Sequence, residues 1–180
     1  WDTDAKRCRL DGQTLNGAIT RGFSTWIDEY GAKDVRILRT YFGNIDIRHH
    51  VCRLNTSRNT QVNAVRDLVK RYFTELQNAK DQYGLEKIQV VAAIPIEDES
   101  RKLPKTGYYK GKPFWGSWQE RDHIFRLFNV LLEGMCNRLE GYEYIPWPAK
   151  FINAQKQLDF SYMEKPQSVH ISPEHYMWSI

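Results

Sequence analysis

The run Lys87–Ile96, KIQVVAAIPI, constrains this chain most. It is almost wholly apolar, too short for a capped core helix, and closed by Pro95. Such a run reads as a strand buried on both faces of a parallel sheet. It follows a strongly helical stretch, Thr60 to Tyr83, in which Val62, Val65, Leu68, Val69, Tyr72, Phe73 and Leu76 share one face. Gly84 stops that helix. A helix feeding a two-faced strand is the repeating unit of an α/β sheet.

The rest of the chain fits the same alternation. Asp4 to Leu10 reads as a short helix, Gln13 to Thr20 as a short strand with a turn at Gly17, and Phe23 to Tyr30 as a helix stopped by Gly31. Val35–Phe42 is the next strand, and Leu54 to Asn63 begins as a polar loop. Glu97 to Gly116 is a long loop rich in Gly, Pro and Lys, of a length that suggests function. Ser117 and Glu120 form a capping box for a helix to about Leu139. Tyr142 to Trp147 is a strand, Lys150 to Pro166 is irregular, and Ser172-Pro173-Glu174 opens a last helix. The expected fold is a three-layer α/β/α sandwich with a parallel, flavodoxin-like sheet.

The chain has 180 residues and a net charge of +4 with no dense basic run, which argues against nucleic acid as a partner. No apolar run reaches the length of a membrane span, and no signal peptide is visible, so a cytoplasmic location is favoured and no membrane partner is expected. One domain, 1–180, is expected, with truncation at the N-terminus left open because the chain starts at Trp1 without Met. Cys8, Cys52 and Cys136 are an odd count without ligand spacing and read as reduced thiols. His49-His50 diverge and lack a third ligand, so no metal is expected. No glycine-rich phosphate loop occurs, and no cofactor is expected.

Candidate chemistry gathers at strand ends. Asp46 and Arg48, two residues apart, either point the same way or pair across a turn. Asn44 offers an amide to a developing oxyanion, and Gly17 allows close backbone approach. His170, in SVHISPEH, is a candidate general base. Trp115 either walls a pocket under the long loop or belongs to the core.

Four stretches together resemble the SGNH (GDSL-like) hydrolase superfamily, and more narrowly its polysaccharide-biosynthesis-like members with a Phe-Gly-Glu-Ile-Asp-x-Arg motif. They are Phe42-Gly43-Asn44-Ile45-Asp46-Ile47-Arg48, Pro113 to Arg121, Ser168-Val169-His170-Ile171, and Asn16 to Gly22. The resemblance implies ester hydrolysis or acyl transfer on an acylated carbohydrate. It implies His170 as base, Gly17 as oxyanion donor, and Gly43, Asn44, Asp46, Arg48 and Trp115 around the substrate. The family nucleophile is a serine in Gly-Asp-Ser; here Asp2-Thr3 is the degenerate counterpart. Gln167 stands where the family has the His-orienting Asp, and Ile45 where it has Asn. These departures keep open a catalytically inactive domain that binds glycan or protein partners in a larger assembly.

Overall fold

The computed structural model describes residues 12–101, 105, 110, 111, 114–165 and 168–175. The expected helix at Asp4–Leu10, the Asp2-Thr3 pair, Gln167 and the last five residues of the expected terminal helix lie outside these.

The described chain runs α1 (Leu15–Arg21), α2 (Phe23–Glu29), β1 (Ile37–Thr40), a π-helical turn (Asp46–His50) continuous with α3 (Val51–Leu54), α4 (Arg58–Tyr83), β2 (Lys87–Val91), α5 (Trp118–Cys136) and β3 (Tyr142–Ile145). Three 3-10 turns follow, at Ala149–Phe151, Phe160–Tyr162 and Pro173–His175. The strands form one parallel sheet in the order β1-β2-β3, with Leu38 opposite Ile88 and Ile88 opposite Tyr142. The α/β class and the parallel sheet agree with the sequence pattern.

Local chemistry explains the helix ends. Ser57 and Thr60 form the capping box of α4, and Gly84 closes it in the left-handed conformation at φ 62°. Ser117 and Glu120 cap α5 as the sequence predicts. On α4, Val65, Leu68, Val69, Tyr72, Phe73 and Leu76 are buried, and on α5 Ile124, Phe128 and Leu132. Each such side chain contributes about 1.5–3 kcal/mol on leaving water.

Strand alternation divides the sheet. Leu38, Ile88, Val90, Tyr142 and Tyr144 join the core beneath the helices. The opposite parity is polar at first: Arg39 Nε donates to Gln89 Oε1 at 2.8 Å, and Gln89 Nε2 to Glu143 Oε2 at 2.9 Å. Towards the strand C-termini that side turns apolar. Trp147 meets the Tyr41 ring at 5.5 Å and donates to the Ala92 carbonyl at 2.8 Å. Around it Ile94, Phe151, Leu158, Met163 and Ile171 form a second core, so the C-terminal segment supplies the layer beyond the sheet.

Several boundaries differ from expectation. Gln13–Thr20 is not a strand: Thr14 accepts the Gly17 N–H and starts α1, whose Leu15 and Ala18 are buried at helical spacing. Gly17 is a helical residue, not a turn. Ordered pairing in β2 ends at Val91, although Ala92 to Glu97 stay buried. Asn44 and Asn129 side chains bond the main chain there, at Ile94 and Ala93, in place of strand neighbours.

Candidate functional site

The segment after β1 opens on Gly43, at φ 99°, where an added Cβ would lie 2.5 Å from Phe128 Cζ. No other residue fits that approach. Asn44 follows, and its Oδ1 accepts the Ile94 N–H at 2.9 Å. The amide nitrogen Nδ2 is therefore the end left to donate, at the C-terminal edge of the sheet.

Asp46 and Arg48 do not pair with each other. The π-helical turn sends them to different partners. Asp46 accepts the Leu15 N–H at 2.7 Å and the Asn16 N–H at 3.2 Å, which ties the turn to the start of α1. Arg48 Nε donates to Glu97 Oε2 at 2.5 Å, and its Nη2 to the Pro95 carbonyl at 3.3 Å. Glu97 is fully buried and takes a second guanidinium, Arg101 Nη1, at 2.8 Å on Oε1. Arg121, also fully buried, donates to the Glu97 carbonyl at 3.2 Å and to Glu99 at 3.1 Å. Its guanidinium carbon sits 4.1 Å from the centre of the Phe114 ring. Glu97, Arg101 and Arg121 were not among the sequence candidates. The available signal was a carboxylate placed directly after an apolar run, where a charge needs a partner.

The two buried carboxylates titrate in opposite directions. Burial raises Asp46 above its ordinary 3.8, and main-chain N–H bonds from Leu15, Asn16 and its own residue, with His50 beside it, only partly offset this. Burial pushes Glu97 up as well, but Arg48 and Arg101 together outweigh it and hold its carboxyl below the ordinary value. For Asp46 the consequence is a loss of stability as pH rises. The unfolded chain ionises first, so the penalty on the folded state grows with pH until its own raised value is passed and is constant above it. Asp46→Asn removes this penalty. In urea titrations from about pH 3.5 to 6, the stability difference between wild type and D46N shifts towards the variant as pH rises. A difference that stays flat with pH would show that Asp46 is not strained by burial. Glu97 contributes the reverse slope in both proteins and cancels in the comparison.

The remaining candidates are placed as follows. The Gly17 N–H donates to Thr14 Oγ1 at 2.9 Å, and the Asn16 side chain accepts from Arg71 at 2.9 Å. Asp46 thus stands beside the Asn16-Gly17 segment, through main-chain bonds rather than a substrate pocket. Trp115 is half-buried, with its ring edge-on to buried His49 at 6.2 Å. His170 lies in the C-terminal layer, beside the bridge between Met163 and Ile171. Its side chain is 62% exposed, with Nδ1 3.5 Å from Glu164 Oε1. The carboxylate recorded beside this ring is that of Glu164, at a spacing the sequence motif would not reveal. No hydrogen bond joins the His170 ring to a hydroxyl among the described residues, and Asp2 and Thr3 lie outside them.

Burial pushes the Cys52 thiol up to about 11 and that of Cys136 up to about 12, so neither is a thiolate nucleophile near neutral pH. Among the described residues no three His, Cys, Asp or Glu side chains come together, and no helix is long and apolar enough to cross a membrane.

No family model and no curated protein matches the chain. Among solved structures it is similar to one from Streptococcus pneumonia described as "a putative platelet activating factor", at 15% identity and a TM-score of 0.58. The match covers 89% of this chain and 62% of that one, so the chain spans less than two thirds of its neighbour's length. At that identity the likeness is one of fold, and the α/β arrangement built above is the fold the two share.

Proposed function

We propose that this chain is an SGNH-like esterase or acyltransferase acting on an acylated carbohydrate. The observation that carries the reading is Asn44: with Oδ1 fixed by the Ile94 N–H, its amide donor is preorganised at the end of β1. The motif order and the shared α/β fold support it. In this mechanism the Thr3 hydroxyl, next to Asp2, attacks the ester carbonyl and its proton passes to His170. The alkoxide of the tetrahedral intermediate is held by Asn44 Nδ2. The C–O bond to the sugar then breaks and the sugar oxygen takes the proton from His170. Water, or an acceptor hydroxyl, resolves the acyl-enzyme. Glu164 Oε1 lies 3.5 Å from His170 Nδ1, on the side of the ring away from Nε2.

Hydrolysis of a short-chain p-nitrophenyl ester tests this. His170→Ala is expected to lower kcat by about 10²–10⁴-fold, and Asn44→Ala by about 10²–10³-fold. Turnover that survives H170A overturns the mechanism. A second reading, an inactive glycan-binding domain, is favoured by the exposure of His170 and by the Gly17 N–H being occupied by Thr14. Saturable binding of an acetylated oligosaccharide without any ester turnover would decide for it.

A further inference from the structure

The turn after β2 gathers more positive charge than the described residues neutralise. Arg48 comes from the π-helical turn, Arg101 from the segment after β2, and Arg121 from α5. Three guanidinium groups thereby converge on one fully buried residue, Glu97: Arg48 and Arg101 on its carboxylate, and Arg121 on its main-chain carbonyl. The second carboxylate, Glu99, has a side chain 58% exposed and pairs with Arg121. Arg121 itself is fully buried, yet its Nε and Nη1 have no hydrogen-bond partner among the described residues. Burying unpaired guanidinium N–H groups is costly, and stacking on Phe114 compensates only in part. The surplus is felt next door. His49 is lowered to about 3, first by burial and then by Arg101 and Arg48. A site this rich in buried N–H donors and short of negative charge is built for an anion.

We propose that Arg48, Arg101 and Arg121 hold an oxyanion group, a phosphate or a carboxylate carried by a small-molecule ligand, at the C-terminal end of β2. Arg101, whose side chain is 13% exposed, is the residue through which the ligand enters. Glu97 then serves as the fixed counter-charge that keeps the three guanidinium groups together before the ligand arrives. This site does not depend on the hydrolase reading.

Calorimetric titration with inorganic phosphate and, separately, with acetate tests the proposal, with ionic strength held constant by chloride. One of the two anions binds saturably to the wild-type protein, and the arm that does so names the ligand chemistry. Arg101→Gln weakens that binding at least tenfold, because the rim guanidinium is lost while the buried pair remains. Arg121→Lys, which keeps the charge and removes the fork, weakens it likewise. Lys33→Gln, the loss of an exposed surface cation, leaves it unchanged. No saturable heat with either anion overturns the proposal. Binding that survives R101Q and R121K unaltered is that of an adventitious ion elsewhere, and overturns it equally. Neither result bears on ester turnover, so this proposal and the hydrolase reading fail separately.

Discussion

Glu97→Ala is expected to destabilise the protein by about 3–5 kcal/mol, the usual cost of removing one member of a buried ion pair. The reason lies in what is left behind. Arg48 and Glu97 are almost wholly buried, and Arg48 keeps only the Pro95 carbonyl when the carboxylate goes. Arg101 loses its charged partner at the same time, and the backbone of Glu97 remains bonded to a third guanidinium. Three positive groups then share one poorly hydrated space. Glu97→Gln does little better, since its amide presents N–H groups to guanidinium donors and carries no charge. Chemical denaturation reads the effect, with Arg36→Ala as the comparison. Arg36 and Glu86 form an ion pair of similar length on the surface, with side chains 76% and 63% exposed, and its loss is expected to leave the midpoint nearly unchanged. Equal midpoints for E97A and R36A would mean that the buried cluster contributes nothing.

Much of this architecture was legible because it rests on local rules. The α4 stripe follows from the 3.6-residue period, and its stop from Gly84. The Ser117–Glu120 box marks the start of α5 to the residue. The α1 helix was hidden because Gly17 reads as a turn. What makes the segment helical is Thr14 at its cap and Asp46, thirty residues on, holding its first N–H groups. The same distance effect hid the centre of the candidate site. Asp46 and Arg48 are neighbours in sequence, and two residues apart suggests a shared direction on an extended chain. The backbone is π-helical there instead, and each side chain answers to a residue about thirty to fifty positions away. Glu97 and Arg121 lie in stretches of different character, so only the folded sheet and α5 bring them together. His170 was legible as a histidine in a loop before a turn, but its partner Glu164 was not, because a short antiparallel bridge sets their approach.

The glycine that opens the site sets the second large effect. Gly43→Ala is expected to cost about 2–5 kcal/mol, from two separable sources. An L-residue held at φ 99° pays roughly 1–2 kcal/mol in backbone strain. The new methyl group would also lie 2.5 Å from Phe128 Cζ and 2.7 Å from Cε1, where carbon contacts rest at about 3.5–4.0 Å. Phe128 has nowhere to retreat: it is fully buried within the main core. Forcing it aside adds about 1–3 kcal/mol of overpacking. Phe128→Leu separates the two. In that background the ring is gone, so Gly43→Ala should cost only the strain, and the double variant should be more stable than the two single losses predict. Strict additivity would show that the glycine is needed for its backbone angle alone. The substitution also reads out function, because Asn44 is the next residue and its Oδ1 must stay on the Ile94 N–H. Displacing Gly43 moves the amide donor proposed for the oxyanion. Ester turnover should therefore fall in G43A even at temperatures where the variant is fully folded, and recover part of the way when F128L relieves the clash.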